Sequence, residues 1–334
     1  MSNNKIKDTD FLFLSAYIRA KEVKMFTRAQ CERMLDASGF AECAKLLEEC
    51  GYEDMSDKSA AQIEETLARH RDAVFAELAQ FSPSKALVDV FRCKYDYHNA
   101  KVLIKAEGAN VDGMHLLSGS GRVAPDVLAE AYHAEEYVVL PSRLGAAIAD
   151  ARGILNRTGN PQLADFALDR AYFAELSALA KDTESAFLIG YVKILIDSAN
   201  LRSAVRTLRM GRDMEFLRQA LIPDGGYGTE RVLAAAVSGE SLAALFSTSS
   251  LKDAAELGAE AVAGGSLTSF EKACDNTVAA YLSGARLKGF GEAPVIAYIA
   301  AVETEIAAAR MILTGRLSGV PADLIKERLR EINA

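Results

Sequence analysis

The sequence contains no tryptophan and only seven prolines in 334 residues. No run of alternating β-branched residues stands out, and so few prolines leave long stretches free to remain helical. An excess of positive charge is lacking: 38 basic residues face 46 acidic ones, for a formal net charge of −8. That balance argues against duplex nucleic acid as the main ligand, because affinity there comes chiefly from neutralising phosphates. It also argues against direct lipid insertion or adsorption to an anionic membrane. No apolar run approaches the roughly 20 residues of a membrane span; the longest candidate, Ala186 to Ile196, is interrupted by Lys193. Lys5, Lys7, Asp8 and Asp10 precede Phe11, which is unlike a signal peptide. The expectation is a cytoplasmic protein.

Recognisable chemistry is lacking too. The five cysteines, Cys31, Cys43, Cys50, Cys93 and Cys274, form no C-x-x-C pair and read as small core residues in a reducing compartment. The four histidines show no H-x-x-x-H spacing, so no metal site is expected. Gly119-Ser-Gly121 and Gly225-Gly-Tyr-Gly228 are followed by no Lys-Ser/Thr and read as linkers, not phosphate loops. There is no G-x-S-x-G elbow. Neighbouring acids such as Glu64/Glu65 and Glu135/Glu136 point in different directions on a helix. No catalytic residue and no cofactor are expected.

What the sequence does have is alanine and leucine in abundance, half of its residues hydrophobic, and strong helix punctuation. Together these predict a globular, all-helical chain. Thr27-Arg-Ala-Gln30 and Ser59-Ala-Ala-Gln62 are capping boxes. Asn160-Pro161 and Ala124-Pro125 open further helices. Ser82 to Gly108 reads as one helix with Ser82 as N-cap and Gly108 as terminator, a strut roughly 37 Å long. Lys85, Asp89, Arg92, Asp96 and Asn99 recur at steps of four and three and share one face.

The strut recurs. A second runs from Thr183 to Gly211 and a third from Glu292 to Gly315, with the three glycines 103 and 104 positions apart. Phe75-Ala-Glu-Leu78 returns as Phe173-Ala-Glu-Leu176 in the preceding helix. Asp96-x-x-Asn99 returns as Asp197-x-x-Asn200, whereas the third strut offers only Glu303 and Ile306. These features predict three helical units of about 100 residues, 1–110, 111–221 and 222–334, each far longer than a solenoid repeat. Near the end of the second strut Arg202, Arg206 and Arg209 form a basic stripe. It serves either the helix dipole or an acidic partner.

Three stretches carry a resemblance. Phe13-Leu-Ser-Ala-Tyr-Ile-Arg19, Cys43-Ala-Lys-Leu-Leu-Glu-Glu-Cys-Gly-Tyr52 and Tyr95-Asp-Tyr-His-Asn-Ala-Lys-Val-Leu-Ile-Lys105 resemble the C subunits of V/A-type ATPases, the counterparts of the eukaryotic d subunit. The resemblance spans essentially the whole chain. It implies a pseudo-threefold helical funnel and a non-catalytic rotor role. Its partners would be the central axle subunits D and F and the membrane proteolipid ring. It implies attachment to the cytoplasmic face of the membrane through that complex, in proton or sodium ion transport. Closed pseudosymmetry leaves an axial socket, whose lining would include Asp96, Asn99, Asp197, Asn200 and Arg202, with Arg206 and Arg209 beside it. The same residues are equally suited to locking neighbouring repeats together. A generic helical scaffold is the alternative reading, and an enzyme built from scattered residues a more distant one.

Overall fold

A computed structural model describes residues 6–330, and among these every regular element is helical. In chain order the helices are α1 (Leu12–Glu22), α2 (Arg28–Asp36), α3 (Phe40–Lys45), α4 (Ala60–Phe81), α5 (Lys85–Ala109), α6 (Pro125–Ala134), α7 (Ser142–Thr158) and α8 (Pro161–Asp182). They continue as α9 (Ala186–Arg209), α10 (Met214–Ala220), α11 (Thr229–Ala235), α12 (Gly239–Phe246), α13 (Lys252–Val262), α14 (Leu267–Ser283), α15 (Glu292–Leu317) and α16 (Ala322–Arg328). Short 3-10 turns extend or join several of them.

The sequence punctuation explains most of these boundaries. In both capping boxes the hydroxyl accepts the N3 amide while the N3 glutamine side chain accepts the N-cap amide, satisfying two donors at each helix start. Pro125 and Pro161 stand at N1, where the missing N–H costs nothing. Gly51, Gly159 and Gly211 end their elements in the left-handed region. All five cysteines are buried thiols.

The struts are α5, α9 and α15, and their ends differ from the sequence reading. Gly108 lies inside α5, and the left-handed residue is Asn110 (φ 53°). Gly315 lies inside α15, and Gly319 (φ 71°) ends it. Only Gly211 (φ 61°) terminates as expected. The starts shift as well. Helix α5 begins at Lys85, with Ser82 Oγ accepting the Ser84 amide. The N-cap of α9 is Ser185, which accepts the Leu188 amide, not Thr183. Helices α4 and α8 both have 22 residues, and their first residues, Ala60 and Pro161, are 101 positions apart. The shared Phe-Ala-Glu-Leu segments, 98 apart, are therefore about one helical turn out of register.

The chain divides into two compact units. Residues 1–85 and 275–334 form one, in which α15 packs against α1, α2, α3 and α4, and α16 rests on α2 and α15. Residues 86–274 form the other, in which α7 packs on α8, α8 on α9, and α10, α11, α12 and α13 on α9. Leu201, Val205, Leu217, Phe246, Phe270 and Cys274 are fully or almost fully buried there. Close approach is set by small residues. A Cβ on Gly239 would stand 2.7 Å from the Ala259 Cα, so α12 and α13 meet backbone to backbone.

Because that contact is main chain on both sides, no rotamer change relieves it. Gly239→Ala is expected to destabilise the protein by about 1–3 kcal/mol, read as a lower denaturant midpoint at unchanged m-value.

Candidate functional site

The two Asp-x-x-Asn pairs picked out on the struts are almost entirely buried. Asp96, Asn99 and Asn200 are inaccessible to solvent and Asp197 is 7% exposed. Each holds down a linker of its own chain. Asn99 donates to the Ser118 carbonyl and accepts the Ser118 amide, both at 2.8 Å. Asn200 does the same to Ile222, again at 2.8 Å in both bonds. Each asparagine thus gives an irregular residue the donor and acceptor that a helix or sheet neighbour would otherwise supply.

The aspartates act four and five residues farther along the same linkers. Asp96 accepts the amides of Arg122 (2.8 Å) and Val123 (3.1 Å). Asp197 accepts those of Tyr227 (3.1 Å) and Gly226. Val123 and Tyr227 each stand one residue before an N-cap, that of α6 and α11 respectively. The linkers pinned are the glycine-rich segments around Gly121 and Gly225-Gly226, which could not carry side chains here. A Cβ at any of the three would lie within 2.6 Å of an aspartate oxygen.

The third strut has the same device in a form that the Asp-x-x-Asn pattern does not reveal. Glu305, 4% exposed, accepts the Phe26 amide (2.6 Å) and the Tyr52 hydroxyl (2.6 Å). Phe26 again stands one residue before an N-cap, Thr27 of α2. The asparagine position is Ala308. Its partner, counted five residues back from Phe26, would be Lys21, which is already inside α1 and needs no outside hydrogen bonds.

This alignment fixes the register of the struts. The carboxylates Asp96, Asp197 and Glu305 precede the left-handed residues Asn110, Gly211 and Gly319 by the same fourteen positions. All three ends close with one Schellman motif. The amides of Val111, Arg212 and Val320 reach the carbonyls of Ala106, Thr207 and Gly315 at 2.9–3.0 Å. Five residues beyond each carboxylate stands a cation that pairs with an acid on another helix. Lys101 meets Asp169 of α8 (2.5 Å), Arg202 meets Glu271 of α14 (2.9 Å) and Arg310 meets Glu64 of α4 (2.7 Å).

The basic stripe is largely occupied within the chain. Arg206 shares Glu271 at 2.7 Å with its side chain half-exposed, and Arg209 donates to the carbonyls of Ala261 and Gly265. Of the ion-paired residues Asp96, Arg202 and Arg206, the last has the most exposed side chain. Arg122, which the sequence reading missed, bridges Asp96 (2.6 Å) and Glu175 (2.8 Å), and Glu175 also accepts the Tyr97 hydroxyl. Its position directly before Val123 in a glycine-rich linker was the available signal.

Burial sets the electrostatics. It is the largest influence on Asp96, Asp197 and Glu305, and pushes each carboxyl above its ordinary value. Arg122 opposes that push at Asp96. Amide and hydroxyl donors oppose it at Glu305. Among the described residues no group of His, Cys, Asp and Glu is placed to hold a metal ion, and no helix is long and apolar enough to cross a membrane.

Comparison with known proteins matches residues 14–328 to a family model described as the ATP synthase (C/AC39) subunit. The chain is 25% identical to the V-type sodium ATPase C subunit of Enterococcus hirae, over 96% of this chain and 98% of that protein. It is 25% identical to the A-type ATP synthase C subunit of Methanocaldococcus jannaschii, over 96% and 86%. It is 23% identical to the V-type ATP synthase C subunit of Thermus thermophilus, over 65% and 73%.

Two substitutions test the linker locks. Asn200→Ala leaves both polar groups of Ile222 without their partner and is expected to cost about 2–4 kcal/mol in equilibrium unfolding. Glu305→Gln removes a titratable group whose native carboxyl lies above the unfolded value of about 4.3. Between those two values the native state binds more protons than the unfolded state, so its stability falls as pH rises. Wild-type stability minus that of Glu305→Gln should therefore increase as pH is lowered from about 7 toward about 5, measured in parallel denaturant titrations.

Proposed function

The chain belongs to the ATP synthase C/AC39 subunit family, and from that premise we propose that it is a non-catalytic rotor part of a V/A-type ATPase. In this reading it is the socket between the soluble central axle, subunits D and F, and the membrane proteolipid ring. It transmits torque between ATP chemistry and the transport of protons or sodium ions, and sits at the cytoplasmic face of the membrane through its complex. Its three units, residues 1–110, 111–221 and 222–334, are arranged as a pseudo-threefold funnel.

One observation carries this reading. Each strut is tied to the unit that follows it in cyclic order. The first pins the linker into the second unit and pairs with α8; the second pins the linker into the third and pairs with α14. The third strut pins Phe26 and pairs with Glu64, both in the first unit. A linear array would leave its last strut without a following unit to hold. A last strut that returns to the first unit is what closed symmetry requires, and a closed ring gives a shaft somewhere to seat.

The polar lining shifts accordingly. Asp96, Asn99, Asp197 and Asn200 shape the socket from within, and the axle meets more accessible charge, with Arg206 the foremost candidate of the stripe. Glu271 already draws on Arg202 and Arg206, so an acidic group of the axle would share that cluster.

Affinity capture of the tagged chain from detergent-solubilised native membranes tests the role. Recovery of axle subunits and proteolipid, weakened at high salt as exposed charges are screened, is expected. Recovery of soluble partners alone overturns the rotor reading and favours a scaffold. Arg206→Glu is expected to lower axle recovery about tenfold, which corresponds to about 1.4 kcal/mol, with helical content unchanged by circular dichroism. Undiminished recovery removes Arg206 from the interface.

A further inference from the structure

The first and second linkers are held by the same strut positions, yet they are not held equally. The first, Ser118 to Val123, exchanges two bonds with Asn99 and donates two amides to Asp96. It also receives two bonds from Arg92, whose guanidinium donates to the carbonyls of Ser120 (3.3 Å) and Gly121. Its own Arg122 is drawn inward between Asp96 and Glu175. Backbone carbonyls, amides and a side chain of this segment are all tied down.

The second linker, Ile222 to Tyr227, keeps only the common part: two bonds from Asn200 and two to Asp197. The positions of both arginines have changed. Arg92, four residues before its aspartate, corresponds to Lys193, which is exposed. Arg122, one residue before the last pinned amide, corresponds to Gly226, also exposed. Lysine cannot reproduce the forked two-carbonyl contact of a guanidinium, and glycine has nothing to send inward.

Two further features distinguish the second linker. Asp224 holds φ at 66°, a left-handed conformation that is unfavourable for a residue with a Cβ. Beside it lies a cavity of about 380 Å³ lined by Ser177, Lys181, Val192, Lys193, Asp224 and Gly225. The segment thus has space next to it, two adjacent glycines, a strained residue and fewer bonds. The first linker combines an inward-drawn arginine with carbonyls capped from the strut.

We infer that residues 223–227 are the yielding joint of this fold, a segment that opens locally while Asn200 keeps Ile222 in place. Opening breaks the two amide bonds to Asp197 and relieves Asp224. The apolar packing of α11, α12 and α13 on α9 stays intact, so the movement is confined to the linker. The inference concerns local opening alone and stands whether or not the chain acts as a rotor part.

Native-state amide exchange on the full chain tests it. After correction for intrinsic rates, Gly226 and Tyr227 are expected to exchange at least about tenfold faster than Arg122 and Val123. Equal or greater protection at Gly226 and Tyr227 overturns the inference, and this comparison needs no variant. Removing the inward-drawn arginine then tests the cause. Arg122→Gly should speed exchange at Val123 toward the rate of Tyr227, with global stability followed separately by denaturant unfolding. If Arg122→Gly leaves Val123 as protected as before, arginine is not what distinguishes the joints and the proposal fails.

Discussion

A buried carboxylate that accepts a linker amide one residue before a helix N-cap is the constraint on which this fold depends. The last amides before a helix have no partner within it, and in an irregular linker they have no partner before it either. Near the surface water would serve. Here the linkers run against long struts, and the struts supply the acceptor. Desolvating a carboxylate is costly, and the raised carboxyls of Asp197 and Glu305 show that cost. It is offset by two donors on each group, and at Asp96 by a guanidinium as well.

The three occurrences show which parts of the device are essential and which respond to surroundings. A carboxylate, a pinned amide at the same helical position and a Schellman end at the same distance occur in all three. The asparagine occurs only where the linker has an irregular residue to satisfy. Where α1 already satisfies its own backbone, alanine stands in its place. The change from aspartate to glutamate on the third strut adds one methylene of reach, and the second carboxylate oxygen takes a tyrosine hydroxyl.

Local chemistry was legible in the sequence because it acts over a few residues. The capping boxes at Thr27 and Ser59 and the N1 prolines at Pro125 and Pro161 each state their geometry within one helical turn. Helix ends were less legible. A glycine inside a helix and one just beyond it look alike, and Asn110 takes the left-handed conformation without being glycine. That ambiguity set the period at 103, whereas Asp96 and Asp197 are 101 apart; the Phe75 and Phe173 tetrapeptides, 98 apart, match in sequence and not in register. The Asp-x-x-Asn pattern was visible, but its purpose depends on residues about twenty to thirty positions later. Glu305 escaped because its asparagine is absent for a structural reason. The partners of the arginine stripe, Glu271 and the carbonyls of Ala261 and Gly265, lie more than fifty residues away and no local pattern points to them.

Buried carboxylates with raised pKa values ordinarily direct attention to catalysis, since active sites are where such shifts are useful. Geometry points elsewhere here. A general acid or base needs an oxygen that can reach a substrate, whereas the oxygens of Asp96 and Glu305 are directed at donors of their own chain. Asp197 lies against Gly225 and Gly226 so closely that not even a Cβ fits between. The energy stored in desolvation serves position. Each carboxylate fixes where a linker enters a shorter helix, and it does so from the middle of a strut. Carboxyls perturbed by burial therefore stand in this fold where linkers meet struts, holding helix starts in place.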